Sequence, residues 1–302
     1  MRIVPGAKTQ FLLVNFRAGG NKTNNPTRRQ YLRAILYERY NKRTTGFFSI
    51  LWRYRLAEPD ENAQKTNLKI VVMNDGPYHV EGAIPLVHKT QVVSEYGEPL
   101  TWKKDAQLRA EGPYSLCRCG HSKDKPFCDG SHCDFDFDGA ETADTRPTIE
   151  RQEILDGGTG IVVKKDDSLC MLSGFCGNRL TNIDEMVSET SEPRVRAEIM
   201  AMIDRCPSGA YAYSINKDEV DIEADLPVQI AQTTEITDDG PIEGPLWLTG
   251  NIPVERADGQ PFETRNRVTL CCCGESSQKP LCDGTHRTVE QEKLRQKENL
   301  NH

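Results

Sequence analysis

This chain contains the same pattern of Cys, Ser, Pro, Asp, Gly and His twice, and any fold must accommodate both occurrences. Residues 117–132 match residues 271–286, and each segment places two Cys two positions apart before a Cys-Asp-Gly-(Ser/Thr)-His run. Upstream, residues 76–86 match residues 244–254, where Gly-Pro, a second Gly and Ile-Pro recur in register. A motif repeated together with its flanks indicates two related structural units, which we call the first copy and the second copy.

Short apolar runs bounded by Gly, Pro and Asp predict β-rich structure for both copies. Strands are predicted at residues 68–72 and 91–93 in the first copy, and at residues 228–230, 246–248 and 268–270 in the second. The first copy has extra residues between Ile-Pro and its Cys pattern, and we predict that residues 87–102 form a loop there.

The spacing of the Cys and His residues suits metal binding. In an extended segment, residues two apart point the same way, so Cys117 and Cys119 can present both sulfurs to one metal. If Gly130 begins a helical turn, Cys128 and His132 share one face and can hold a second metal. Two facing pairs suit a [2Fe–2S] cluster with three thiolates and one imidazole. A zinc ion with three Cys and one His is the alternative, although zinc sites usually separate the first Cys pair by about two to four residues.

Composition favours metal binding over disulfides. The chain has 302 residues and 11 Cys, an odd number that a framework of intrachain disulfides would not use completely. The apolar run at residues 11–14 is too short for a secretory signal, so we expect a reducing compartment, where clustered Cys usually bind metal. Hydrophobic residues make up 37% of the chain, which excludes a polytopic membrane protein, and the net charge of −7 disfavours a general nucleic-acid binder.

The charge is unevenly distributed along the chain. Residues 1–57 carry twelve basic side chains and one acidic side chain, which sets this N-terminal extension apart from the acidic remainder. Apolar residues within 31–40 follow helical spacing, and a second apolar group lies at 47–52. A packed or disordered extension is the favoured interpretation, and an interfacial anchor or an organellar presequence are the alternatives.

The duplicated pattern resembles the signature of the CDGSH iron–sulfur family, the mitoNEET-like proteins. Residues 117–132 match that signature at every fixed position, and the second copy departs only at Thr285, which keeps the hydroxyl of the expected Ser. The resemblance covers roughly residues 66–136 and 226–290 and implies one [2Fe–2S] cluster in each copy. The implied ligands are Cys117, Cys119, Cys128 and His132 in the first copy, and Cys271, Cys273, Cys282 and His286 in the second.

A third group of Cys lies between the copies and comprises Cys170, Cys176 and Cys206. Bacterial ferredoxins carry a C-x₂-C-x₂-C run and a distant Cys-Pro, and here Ser173 stands at the middle position. Residues 158–222, which we call the central module, resemble the divergent single-cluster ferredoxin-like domain. The resemblance implies a [3Fe–4S] cluster, or a [4Fe–4S] cluster with Ser173 or another group on the fourth iron. Three buried structural Cys without a cluster are the alternative.

The central module has its own secondary-structure pattern. Residues 161–163 predict a strand, apolar residues within 195–203 predict an amphipathic helix, and residues 211–215 and 220–222 predict a hairpin. The predicted fold is α+β, with two small β-rich modules flanking a ferredoxin-like α/β module. The predicted boundaries are 1–65 for the basic extension, 66–136 for the first copy, 137–157 for a linker, 158–222 for the central module, 223–290 for the second copy and 291–302 for a tail.

Several residues near the motifs lie outside the predicted ligand sets. Cys133 and Cys272 are expected to be inert, and Cys272 should point away from its two neighbours. His121 is expected to face solvent in a loop, with a hydrogen bond that modulates the first cluster as the alternative. Asp129 and Asp283 are expected to cap helix N-termini rather than to act as acids or bases.

The predicted function is electron transfer without substrate turnover. Three thiolates and one imidazole leave less negative charge than four thiolates, so the potential should lie between about −400 mV and the Rieske range of roughly −150 to +300 mV. Imidazole exchanges a proton near neutral pH, so His132 and His286 are expected to couple electron uptake to protonation. The alternatives are donation of a labile cluster or redox sensing, and a zinc-bound interaction module.

The expected partners are redox proteins or apo iron–sulfur acceptors, with no nucleic acid and no transmembrane segment. Proteins with one CDGSH motif resemble intertwined homodimers, so two copies in one chain suggest an intramolecular pseudo-dimer. No catalytic constellation stands out, and we do not expect an enzyme. The expected location is the bacterial cytoplasm, because three clusters need a reducing setting, and a mitochondrial location is the alternative.

Overall fold

The computed structural model describes residues 68–109 and 111–300, so the predictions for the basic extension lie outside the described residues. This described part is mixed α+β, with small sheets and short helices, as the sequence predicts. None of its helices is long and apolar enough to cross a bilayer.

The strands occur in three groups along the chain. The first copy contributes β1 (Lys69–Val72), β2 (Tyr78–Glu81), β3 (Leu86–Val93), β4 (Pro99–Arg109) and β5 (Tyr114–Leu116). The intervening chain contributes β6 (Glu153–Ile154), β7 (Val162–Lys165) and β8 (Tyr211–Ser214). The second copy contributes β9 (Gln229–Thr237), β10 (Gly240–Thr249), β11 (Val254–Glu255) and β12 (Arg267–Leu270). All five strands predicted for the two copies overlap strands of the structure.

The two copies exchange strands. One sheet has the order β11-β1-β2-β5 and the other has the order β12-β10-β9-β3-β4, so each sheet contains strands from both copies. The exchanged strands pair in parallel, with Ile70 opposite Val254 and Leu86 opposite Ile230. These residues are buried in one continuous apolar core. The two copies therefore share a hydrophobic core rather than forming separate modules.

The prediction of a loop at residues 87–102 is wrong. This segment forms most of the β3–β4 hairpin, whose turn is closed by hydrogen bonds between Ser94 and Glu98 and between Gly97 and Ser94. Strand β3 also pairs with β9, which lies far away in sequence. Because that partner comes from the other copy, local sequence does not indicate the stabilising contact.

The central module packs two helices against the antiparallel β6-β7-β8 sheet, whose first strand, β6, lies in the segment predicted as a linker. The α-helices that precede β9 in the described residues are α1 (Thr148–Arg151), α2 (Ile183–Met186) and α3 (Pro193–Arg205). Helix α3 begins with Pro at its first turn, where the missing N–H costs nothing. Its buried residues are Ile199, Met202 and Ile203, which confirms the amphipathic helix predicted from their spacing.

The second strand of the predicted hairpin at residues 220–222 is absent from the structure. Strand β8 pairs with β7 instead, and residues 220–222 follow it without strand structure. Val220 is 90% exposed, so this segment buries little apolar surface. An isolated two-stranded hairpin needs such burial to be stable. A single hydrogen bond from Ile222 N to Tyr213 O is what remains of the predicted pairing.

The last helix, α4 (His286–Leu300), begins at a predicted ligand. It continues through the residues predicted as a tail, and it packs beside β10 of the second copy.

Candidate metal centres

The first candidate site consists of two pairs of predicted ligands. The Sγ atoms of Cys117 and Cys119 lie 3.8 Å apart, and Cys128 Sγ lies 3.5 Å from His132 Nδ1. A tetrahedral metal with bonds of about 2.3 Å to two sulfurs separates those sulfurs by about 3.8 Å. Each pair therefore has the spacing needed to hold one metal atom through two bonds.

Backbone and carboxylate hydrogen bonds hold the two pairs of the first site in place. Cys117 N donates to Pro126 O, and Cys128 N donates to Ser115 O on the neighbouring strand. Asp129 accepts hydrogen bonds from Lys123 N and from Ser131 N, and these bonds hold the pKa of its carboxyl well below the usual range. The carboxylate thus ties the turn that carries His132 to the preceding loop.

The second site repeats this geometry in a more buried setting. Cys271 and Cys273 have Sγ atoms 3.7 Å apart, and Cys282 Sγ lies 3.3 Å from His286 Nδ1. Asp283 accepts from Ser277 N and Thr285 N, as Asp129 does in the first copy. Both aspartates therefore bond to turn N–H groups. The N-cap of the short 3₁₀ helix Ser131–Cys133 is Gly130, so the prediction that Asp129 occupies the cap position is wrong.

The spacing within each site suits two metal atoms rather than one, because the Cys and His side chains of each copy form two pairs. Burial raises the pKa of Cys119 to about 11 and the pKa of Cys282 well above its usual value. Thiolates in such sites need a compensating positive charge, which a ferric core would supply on displacing their protons.

The central site comprises Cys170, Cys176 and Cys206. Burial raises the pKa values of Cys170 and Cys176, and the neighbouring Cys206 thiol contributes further to both shifts. The three thiols therefore lie near one another, although within the described residues no three Cys, His, Asp or Glu side chains converge on one metal position. Ser173, at the position of the missing Cys, is 6% exposed. The sequence analysis missed Ser208, a buried hydroxyl whose Oγ lies 3.5 Å from Cys206 Sγ and for which only the Cys-Pro-Ser run gave a signal.

The β3–β4 hairpin of the first copy holds the loop of the central site. Gln91 Nε2 donates to Ser173 O over 3.2 Å, and the same side chain accepts from Ile236 N. The ring of Trp102 packs against Phe175 with centroids 5.6 Å apart. The sequence gives no signal for these contacts, because they join segments that are far apart in the chain.

A buried ion pair supports the chain that leads to Cys170. Asp166 contacts Arg151 over 2.9 Å, and the two side chains are 2% and 7% exposed. Asp166 also accepts from Ser168 N, within the turn that ends at Cys170.

Asp166→Ala is expected to destabilise the protein by about 3–5 kcal/mol, because it leaves the Arg151 guanidinium buried without its acid. Urea unfolding measures the change. Asp144→Ala is the matched control, since it breaks the more exposed pair with Arg146, and little change is expected there. Equal losses of stability in the two variants would contradict this role of Asp166.

The two remaining Cys have different surroundings. Cys272 is buried and its Sγ donates to Gly244 O over 3.1 Å, so it points away from its neighbours as predicted. Cys133 is exposed. His121 is exposed as expected, and its Nδ1 donates to Cys119 O over 2.8 Å, which is the alternative hydrogen bond considered from the sequence.

The loops of the first and second sites are in direct contact. Cys119 and Cys273 form an isolated antiparallel bridge. The Gly that follows each of them has a positive φ and packs against the carbonyl of the opposite Cys. Tyr78 of the first copy adds a buried hydrogen bond to Cys271 O, 2.8 Å long.

Comparison with known proteins agrees with this geometry. The family model described as iron-binding zinc finger, CDGSH type, matches residues 75–133 and 243–287. The family model described as divergent 4Fe–4S mono-cluster matches residues 157–216. No curated protein and no solved structure matches the chain. The protein thus carries two CDGSH-type iron–sulfur regions that flank a divergent 4Fe–4S mono-cluster region.

Proposed function

We propose that this protein transfers electrons through three iron–sulfur clusters held in one chain. The observation that carries the proposal is the contact between ligand loops. Cys119 and Cys273 bridge the first and second sites, and Arg287, next to the ligand His286, donates to Leu172 O in the loop of the central site. Redox sites whose loops are in contact suit electron transfer from one site to the next better than three sites that act separately.

In this proposal the first and second sites each hold a [2Fe–2S] cluster, and the central site holds a [3Fe–4S] or a [4Fe–4S] cluster. The clusters would supply one-electron redox chemistry when bound. The chain supplies three thiolates and one imidazole at each CDGSH site, and the resulting charge favours a potential between the plant-type and Rieske values. Tyr78 and the Cys119–Cys273 bridge hold the two loops in fixed positions, which limits reorganisation during electron movement.

We further propose that the two copies form an intramolecular pseudo-dimer. The parallel pairings of β1 with β11 and of β3 with β9 support it, because each copy contributes its third strand, β3 or β11, to the first strand of the other. The reciprocal contacts of the two Cys-Gly segments support it as well. Such symmetry would relate the two CDGSH clusters by an approximate two-fold axis that passes between their contacting loops.

The partners in this proposal are redox proteins, and the protein acts as a carrier rather than as a substrate-transforming enzyme. Eleven Cys, all present as free thiols, suit a reducing compartment such as the bacterial cytoplasm, with the mitochondrion as the alternative.

Cluster donation to an apo-protein is the second candidate function. It is favoured by the first site, where Cys128 is only half-buried and the turn that carries His132 has no buried residue. A cluster held on one side by half-buried ligands can leave without unfolding of the whole protein.

Mixing the cluster-loaded protein with an apo-ferredoxin separates the two candidates. Electron transfer predicts oxidation and reduction of an added redox partner while the acceptor gains no cluster. Appearance of the cluster absorption on the acceptor, at a rate that matches its loss from the donor, would support donation instead.

His132→Cys is expected to lower the potential of the first site toward roughly −400 mV, because a fourth thiolate adds negative charge. The same change is expected to reduce the pH dependence of that potential, since thiolate resists protonation more than imidazole does. Redox titrations followed by EPR at several pH values measure both effects. A pH slope identical to that of the native protein would exclude His132 as the proton-coupled group.

A further inference from the structure

The first and second sites differ in exposure although their ligands match. Cys271, Cys282 and His286 are at most 2% exposed. In the first site Cys128 is half-buried, and the turn carrying His132 contains no buried residue. The first Cys pair is buried in both sites, so the difference lies in the second pair: Cys282 and His286 are enclosed by other parts of the chain, whereas Cys128 and His132 reach the surface.

A buried carboxylate contacts the imidazole of the second site. Glu235 is 0% exposed, and its Oε1 lies 3.1 Å from His286 Nε2. Its Oε2 accepts from Arg287 Nη1 over 2.6 Å, so both carboxylate oxygens are acceptors. His286 Nε2 must then be the donor, which leaves the Nδ1 lone pair free beside Cys282 Sγ.

The same contacts lead to the central site. Arg287 Nη1 also donates to Leu172 O, which lies between the ligands Cys170 and Cys176. The Leu172 side chain packs closely against Gly284, two residues before His286. The imidazole, Glu235, Arg287 and the loop of the central site thus form one continuous chain of contacts.

The first copy has no counterpart of this arrangement. Glu235 lies in the long β9–β10 hairpin, whereas β1 and β2 of the first copy are joined by the short turn after Val72. Within the described part of the chain, His132 Nε2 has no side-chain hydrogen-bond partner, and its Nδ1 contacts only Cys128 Sγ. The difference therefore arises from the hairpin and not from the ligand motif.

We propose that Glu235 is the positioning residue of the second site, holding His286 with Nδ1 directed at the metal and linking this ligand through Arg287 to the loop of the central site. The inference rests on the proposed electron-transfer function. It makes the second site the internal neighbour of the central site, and it leaves the first site to face external redox partners.

Two variants of Glu235 test this role in the cluster-loaded protein. Glu235→Gln keeps an acceptor for His286 Nε2 but removes the charge, so the reduction step and EPR signal of the second site should shift while those of the first site stay unchanged. Glu235→Ala removes the acceptor, and the second site should bind its metal about 10–100-fold more weakly, as for other partners of metal-bound His. The first site is the internal reference in both variants.

Asp239→Asn is the matched control. It removes an equal charge from the same hairpin. The partner of Asp239 is Arg295, which lies on the same helix as Arg287. Among the described residues, Asp239 and Arg295 have no hydrogen bond to a predicted ligand. The control should leave both sites unchanged. The proposal is overturned if Glu235→Gln and Glu235→Ala leave the second site unchanged, or if both sites change equally.

The native protein separates this inference from the proposed function. If it binds no iron–sulfur clusters or exchanges no electrons, the proposed function fails before any variant is compared. If its clusters and electron exchange are present and only the Glu235 variants behave like the native protein, the positioning role alone fails.

Discussion

Gly120→Ala is expected to destabilise the protein by about 3 kcal/mol or more, because a Cβ at this position would collide with the carbonyl oxygen of Cys273. Gly120 has φ of 81°, which adds the cost of a left-handed conformation for alanine. The added Cβ would press on the Cys119–Cys273 backbone bridge between the two loops. Neither loop can move away without displacing a predicted ligand.

Gly112→Ala isolates the contribution of the collision. Gly112 also has a positive φ, of 61°, but nothing lies within 4 Å of a Cβ placed there. Its replacement should cost about 1–2 kcal/mol from the conformation alone. Urea unfolding of both variants measures the difference, and equal losses of stability would mean that the contact between the loops does not matter.

Gly274→Ala provides the reciprocal change. A Cβ at this position would lie 2.5 Å from Cys119 O, so the loss of stability should resemble that of Gly120→Ala. A large effect at one glycine and none at the other would argue against a reciprocal contact between the copies.

The second large effect is expected from Cys282→Ala. This variant should lose the cluster of the second site and melt at a much lower temperature than the native protein. Cys282 is 2% exposed, so loss of the cluster empties a buried volume and removes metal-binding energy that stabilises the fold.

Cys128→Ala is the matched comparison, because it removes the equivalent ligand from the more exposed first site. The same amount of iron should be lost, but the melting temperature should fall less, since little buried volume is emptied. Iron analysis and thermal unfolding followed by circular dichroism measure the two effects. A larger fall in Cys128→Ala would contradict the difference in burial between the sites.

The pairing of the Cys and His side chains was predictable from the sequence because local geometry determines it, whereas their role as ligands stays a prediction. Cys117 and Cys119 were expected to face the same way because residues two apart in an extended segment do so. Their sulfurs lie 3.8 Å apart. Helix α3 was predictable for the same reason, since a spacing of three and four residues creates one apolar face.

Contacts between distant segments were not predictable from the sequence. Residues 87–102 were predicted to be a loop because the second copy lacks an equivalent segment, and this is wrong because the stabilising partner of β3 is β9 of the other copy. Glu235 is separated from His286 by 51 positions and lies in no recognised motif. A strand residue of this kind gives no local signal that it will meet a ligand, so only the structure identifies it.

EPR spectra of the oxidised and reduced protein, with iron and acid-labile sulfide determined on the same sample, test the presence of three clusters most directly. The proposal predicts two distinguishable [2Fe–2S] signals on reduction and a third signal from a [3Fe–4S] or [4Fe–4S] cluster. Zinc in place of iron, no labile sulfide and no signal in either state would contradict it.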